Sequence, residues 1–262
     1  MYPYPILLGL NLYDISLIIA IIVAMLLCDT LMQKREFSIA LQKLVIVAIL
    51  LSVLLGFSSA ILFQAFYNFL AKGVFTLSAT TGMTFYGGFI GGAITFLLVW
   101  FIGGKYFLKK ENAGEEKRKF FDMLDISACC VPLAHAIGRI GCFFAGCCHG
   151  EKTDAWFGVN MLTRNGWETV VPVQLFESAF LILLSAFLLW VFFKRKINLP
   201  LMPTYCFTYG IWRFLIEFTR DDYRGNSPIS FLTPSQFISV LLIIISIVYF
   251  LIWFFNKKTK TK

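Results

Sequence analysis

The sequence predicts an all-α, polytopic membrane protein: a bundle of about seven transmembrane helices, N-terminus outside and C-terminus in the cytoplasm. Three observations carry this. The 262 residues are 58% hydrophobic and only 15% charged, with a mean hydropathy of +0.76, whereas a soluble domain is about a quarter charged. The apolar residues gather into seven stretches that reach, or nearly reach, the length needed to cross roughly 30 Å of hydrocarbon as helices. Lys and Arg concentrate in alternate connections, as the positive-inside rule requires.

The seven stretches cover residues 12–28, 44–70, 85–108, 123–148, 173–193, 199–218 and 237–255. No Lys or Arg precedes the first, since the earliest is Lys34, so it lacks the basic start of a cleaved signal peptide and is expected to remain a span. The second is long enough to tilt, or to break near Gly56. The fourth is the weakest by hydropathy because it holds Asp125, His135 and Arg139. The connections after stretches one, three and five, with the C-terminal tail, hold sixteen of the 23 Lys and Arg. The opposite side holds five: Lys72, Lys152, Arg164, Arg220 and Arg224. This distribution accounts for the net charge of +8 as a topology signal that also suits anionic lipid headgroups, and no nucleic acid partner is needed. The longest polar connections are 109–119, inside, and 151–171, outside; the second carries Trp156, Phe157 and Trp167, residues suited to the membrane–water interface. No repeat or separate soluble region interrupts the chain, which reads as one domain, 1–262.

The chemistry centres on residues 138–150, where Arg139 sits in an apolar neighbourhood with Gly138, Gly141, Gly146 and Gly150 around it. A buried arginine requires a partner, either a carboxylate of the chain or an anionic ligand. Stretch six adds Arg213, Glu217 and Arg220 at i, i+4, i+7, one helical face. An internal Arg213–Glu217 pair would let that helix insert; two deep arginines in one small bundle favour an anion site, because guanidinium offers a planar fork that matches phosphate. Gln174 and Glu177 share a face at the outer end of stretch five, and Glu177 is either the counter-charge of Arg139 or a general base. Asp125 reads as complementing a helix N-terminus. Tyr86-Gly87-Gly88 with Gly91 and Gly92 reads first as close helix packing, and second as backbone left open to a ligand. Tyr13 is an interface anchor or a site hydroxyl. The seven cysteines are an odd number scattered through apolar stretches, so most read as small buried hydrophobes. Cys142, Cys147, Cys148 and His149 are soft ligands within eight residues but fit no standard metal-ligand spacing; plain packing or an accessible thiol is the first reading, and a metal or an outer-side disulfide stays open behind it. His135 and His149 are the only histidines, so a base with an ordinary pKa near neutrality is one of them; His135 shares the face of Arg139.

With these residues in view, the chain resembles the prolipoprotein diacylglyceryl transferase family of bacterial inner-membrane enzymes over nearly its whole length. Gly138, Arg139, Gly141, Phe143, Gly146 and Gly150 match the family signature, with Asp125 and Pro132 at the family's spacing before the arginine. Gln174-Leu175-Phe176-Glu177 resembles the family's Gln-Leu-Tyr-Glu stretch. Tyr209-Gly210 through Arg213, Glu217 and Arg220 follows its Tyr-Gly-x-x-Arg-x-x-x-Glu-x-x-Arg pattern, and Tyr13 falls where the family has a functional tyrosine. Three positions depart: Cys142 stands for the signature asparagine, Cys147 for the signature glutamate, and Tyr86 for a histidine.

The resemblance implies transfer of the sn-1,2-diacylglyceryl group of phosphatidylglycerol to the lipobox cysteine thiol in the signal peptide of a prolipoprotein, with release of glycerol phosphate and no metal or organic cofactor. On that reading Arg139, Arg213, Glu217, His149, Glu177 and Tyr13 are the catalytic groups. Arg139, Gly141, Cys142, Gly150, Tyr86, Gly87, Gly88, Gln174 and Arg220 bind substrate. The three departures motivate an alternative, a divergent paralogue that modifies another acceptor; a lipid-binding membrane protein without catalysis is a third reading.

Overall fold

The computed structural model describes residues 9–73, 75–77, 84–163, 166–194, 199–220, 229 and 231–260. Arg164, Arg195, Lys196, Arg224 and Lys262, counted above for topology, lie outside them. The described chain is mostly helical: α1 (Leu12–Lys34), α2 (Ile39–Lys72), α3 (Phe85–Leu98), α4 (Gly104–Phe107), α5 (Glu115–Arg118), α6 (Phe120–Ala145), α7 (Val173–Phe193), α8 (Leu201–Ile216) and α9 (Pro234–Lys260). Among the described residues six helices are long and apolar enough to cross a membrane, with α3 and α4 counting as one span across a π-turn at Val99–Gly103. This is a multi-pass membrane protein. The remaining expected span, α8, has 16 residues and passes into a 3-10 turn at Glu217–Thr219. One feature departs from an all-helical chain: strands β1 (Val159–Thr163) and β2 (Gly166–Val170) pair antiparallel, with Met161 opposite Glu168.

The described residues form two compact units, Asp29–Met123 and the remainder. In the first, α2 runs unbroken past Gly56. Gly56 does not interrupt the helix because its missing side chain serves approach instead: a Cβ there would stand 3.1 Å from the carbonyl oxygen of Gly88. Gly87, Gly88, Gly91 and Gly92 of α3 lie against Phe63, Ala60, Ser59 and Ser52 of α2, and Ser59 Oγ donates to the Gly87 carbonyl at 2.9 Å. Small residues admit the second backbone, as expected where lipid supplies no hydrophobic drive between helices. The polar connection after α4 folds back as structure. Ser38 caps α2 by accepting from the Leu41 N–H, and Glu115 Oε1 accepts from the Ser38 N–H at 2.8 Å. The fully buried Trp100 donates Nε1 to the Glu116 carbonyl at 3.0 Å.

In the second unit α1 lies on α6 through Gly141, where a Cβ would stand 2.9 Å from Ser16 Cβ. Serines tie α7 to α6: Ser178 Oγ donates to the Ala136 carbonyl at 3.0 Å and Ser185 Oγ to that of Cys129 at 2.9 Å. Gly210 lets α8 approach α9, where a Cβ would stand 3.1 Å from the Ser239 carbonyl. Asp125 is not at the start of its own helix, which begins at Phe120. It accepts from the Leu201 N–H at 2.9 Å and so complements the N-terminus of α8. Thr233 and Gln236 bond reciprocally at the start of α9, at 3.0 and 3.2 Å, a capping box with Pro234 as the first helical residue.

Candidate active site

Two arginines, each paired with a buried carboxylate, organise the site. Both lie in the unit made of α1 to Cys28 and residues 124–262. Arg139 projects from α6 toward Glu177, one turn into α7. Its Nη2 donates to Oε1 at 3.1 Å and its Nε stands 3.0 Å from Oε2. Glu177 is wholly buried. The same Oε1 accepts from the Tyr209 hydroxyl of α8 at 3.1 Å and lies 3.9 Å from His135 Nε2. The His135 ring meets Tyr209 edge to face at 5.5 Å between centroids. Three helices thus converge on one carboxylate, and Glu177 is ion-paired with Arg139.

Arg213 forms the second pair within α8 and its continuation. Its Nη2 lies 2.7 Å from Glu217 Oε2 and donates to Ser235 Oγ on α9 at 2.9 Å. Glu217 Oε1 accepts from Thr233 Oγ1 at 2.9 Å, so the residue that caps α9 also fixes this carboxylate. Among the described residues Arg213 Nη1 is buried with no hydrogen-bond partner, a cationic donor that an acceptor such as a phosphate oxygen would satisfy. Tyr209 and Arg213 are one turn apart on α8 and connect the two pairs.

Arg220 does not share the helical face expected for it. The α-helix stops at Ile216, and Arg220 follows the 3-10 turn in an extended conformation, φ −111° and ψ 144°. Tyr13, in the first turn of α1, flanks Gly141. Gln174 is buried and donates Nε2 to the Cys147 carbonyl at 2.6 Å, pinning the loop after α6. That loop turns at Gly146, φ 72°, and at Cys148, φ 62°. Gly150 is held between the Val171 carbonyl, which its N–H reaches at 2.8 Å, and the Thr219 carbonyl. A Cβ on Gly150 would stand 2.5 Å from the Thr219 oxygen, so no larger residue fits. His149 Nδ1 lies 2.9 Å from the Gly150 carbonyl oxygen. A carbonyl only accepts, so Nδ1 carries the proton and Nε2 is the basic nitrogen of the neutral ring. Beside the hairpin, Lys152 Nζ lies 2.7 Å from Glu168 Oε1 and holds that carboxyl below the usual carboxylate range.

Cys142, Cys147 and Cys148 are free thiols whose sulfurs all lie within 4.8 Å of one another. The sequence placed the three within seven positions; the closeness of their sulfurs goes with the two left-handed turns. Tyr86, Gly87 and Gly88 belong to the other compact unit. Gly87 and Gly88 pack on α2 there, the first of the two readings open to them, and Tyr86 is 38% exposed. Tyr209, Ser235 and Thr233 are site residues that single-residue reasoning passed over. Tyr209 stood in the Tyr-Gly-x-x-Arg pattern and Thr233 in a legible capping box; nothing in the sequence marks Ser235.

The residues that converge here lie within a stretch matched by a known family. The family model for prolipoprotein diacylglyceryl transferase matches residues 5–253. A Clostridium tetani protein named phosphatidylglycerol–prolipoprotein diacylglyceryl transferase is 35% identical over 257 residues, 95% of this chain and 96% of its own length. A Clostridium perfringens protein carrying that name with the suffix 2 is 34% identical over 167 residues, 62% of this chain and 59% of its own. A Francisella tularensis subsp. novicida protein of the same name is 33% identical over 184 residues, 69% of this chain and 63% of its own. With a match that runs through α1 to α9 and takes in both arginine–carboxylate pairs, the chain belongs to the prolipoprotein diacylglyceryl transferase family.

Proposed function

We propose that this chain is a phosphatidylglycerol–prolipoprotein diacylglyceryl transferase of the bacterial inner membrane, with its N-terminus outside and its C-terminus in the cytoplasm. It moves the diacylglyceryl group of phosphatidylglycerol to the lipobox cysteine of a prolipoprotein signal peptide and releases glycerol phosphate. The names of its relatives support both substrates. The family match crosses both compact units, which supports treating 1–262 as one transferase domain.

The observation that carries the reading is the paired arginines. Arg139 and Arg213 are each held by a buried carboxylate, and among the described residues Arg213 keeps a buried donor unspent. Preorganised cationic donors of this kind stabilise the charge that gathers on a departing phosphate. Glu177, Tyr209, Glu217 and Ser235 hold the two guanidiniums in place, so little reorganisation accompanies the reaction. His149, with Nε2 as its basic nitrogen, takes the proton of the incoming thiol, because the thiolate is the nucleophile. Tyr13 and Gly141, with Gln174, Gly150 and Arg220, shape the floor on which the headgroup sits. Tyr86, Gly87 and Gly88 are assigned to the substrate by resemblance alone.

The test is transfer in detergent with purified protein, phosphatidylglycerol and a lipobox peptide, read by peptide mass. Wild type should add one diacylglyceryl mass to the cysteine, and Arg139→Ala and Arg213→Ala should each lose at least about a hundredfold in rate, the scale of removing one transition-state donor. A wild-type protein that binds the lipid and leaves the peptide mass unchanged would refute the assignment.

A further inference from the structure

We propose that Cys142, Cys147 and Cys148 form a three-sulfur site for one soft divalent metal ion of the zinc class, with a fourth position that accepts the substrate thiol. The second half rests on the transferase reading; the first half does not.

The geometry is specific. Three sulfurs bound to one zinc at about 2.3 Å stand about 3.8–4.0 Å apart. Here all three lie within 4.8 Å of one another, so closing on an ion needs movement of about 1 Å or less. Consecutive cysteines ordinarily point apart. Cys148 takes φ 62°, which non-glycine residues rarely adopt, after Gly146 has already turned the chain at φ 72°. Those two turns bring neighbouring side chains to one point, and strain of this sort concentrates at functional positions. Cys147 is exposed while Cys142 and Cys148 are half-buried, so the cluster is rooted in the protein and open on one side. The guanidiniums of Arg139 and Arg220 lie within electrostatic reach of Cys148, so the cluster stands in a positively charged neighbourhood. One divalent ion with three thiolates carries a net charge of −1. Soft sulfur donors select zinc-like ions over magnesium or calcium.

Three protein ligands and one open place is the pattern of catalytic rather than structural zinc. The cluster stands beside Arg139, where the relatives' lipid and thiol chemistry would meet. Two of its members replace the polar signature residues named above, asparagine and glutamate. A peptide thiol entering the fourth position gives its proton to His149 Nε2 and binds as thiolate. Its sulfur lone pair then attacks the glyceryl carbon; the C–S bond forms, the C–O bond to phosphate breaks, and the electron pair leaves with the phosphate oxygen. The product thioether, a weaker donor than thiolate, dissociates.

Co2+ is the probe, because its bonds to thiolate absorb in the near ultraviolet and visible. Full-length protein in detergent, stripped with chelator, is titrated with Co2+ alone. One ion per chain with thiolate charge-transfer bands is expected, lost in the triple Cys→Ser variant of residues 142, 147 and 148 and in each single variant, and retained in Cys206→Ser. Elution as a single species on gel filtration checks that each variant is folded. Addition of a lipobox peptide should raise the charge-transfer intensity by about a third as three thiolates become four; the Cys→Ser peptide should not. Absence of the bands in wild type, their persistence in the triple variant, or a disulfide among the three in protein isolated without oxidant would overturn the site. Bands that ignore the cysteine peptide, or full transfer by chelator-stripped enzyme, would overturn the role of the fourth position and leave the transferase reading standing. A normal cobalt site with no transfer by any metal form would overturn the transferase reading instead.

Discussion

At the scale of single residues, one carboxylate sets the character of the site. Glu177 neutralises Arg139, accepts from Tyr209 and stands beside His135. Removing its charge by Glu177→Gln leaves a buried guanidinium without an anion, which costs about 3–5 kcal/mol; thermal unfolding in detergent should show a large drop. Tyr209→Phe keeps the ring and loses one hydrogen bond, about 1 kcal/mol. Its fold should survive while transfer slows by several fold through misplaced Arg139. A Tyr209→Phe enzyme with wild-type rate would remove Tyr209 from the positioning set. The need for a carboxylate opposite Arg139 was legible, because charge in an apolar span demands a partner. Glu177 was named for that place from the sequence as one of two readings; the pairing itself, across 38 positions, rests on the approach of α7 to α6.

At the scale of elements, the loop after α6 is fastened at Gly150. It bonds to Val171 before α7, and its missing side chain makes room for the Thr219 carbonyl beyond α8. Gly150→Ala forces the Thr219 oxygen or Val171 to move and should destabilise by about 1–3 kcal/mol, the scale of overpacking. Gly138→Ala is the control for stability, since the nearest atom, on Leu17, lies 4.0 Å from the added Cβ. Equal melting temperatures for the two variants would contradict this account. Helices α1, α2, α6, α7 and α9 were legible from apolar length alone. The hairpin was not, because ten strand residues within a polar connection carry no strong alternation. The end of α8 at Ile216 was also hidden: Arg213, Glu217 and Arg220 keep perfect helical spacing, yet Arg220 leaves the helix.

At the scale of the whole molecule, the topology is tested by reporters. Fluorescent protein fused after Lys262 should fluoresce, and a thiol introduced in the 151–158 segment should react with membrane-impermeant reagent in intact cells. The opposite result for both would invert the proposed orientation. The same labelling decides whether α8, with 16 residues, crosses as the seventh span. Its shortness suits a helix that holds Arg213 and Glu217 near one end rather than one set by hydrocarbon thickness alone.

The sequence by itself determined that the chain lives in a membrane, where most of its helices fall, and which family motifs it carries, because hydropathy and motif order are properties of residues taken along the chain. It also determined that two arginines need acidic company. The tertiary structure alone showed that Glu177 pairs with Arg139, that Ser235 and Thr233 secure the Arg213–Glu217 pair, and that Gly87 and Gly88 lie against α2. It alone gathered Cys142, Cys147 and Cys148 to within 4.8 Å. Such pairings depend on backbone approach and on turns with positive φ, and these are energies of contact between distant residues that no local pattern encodes.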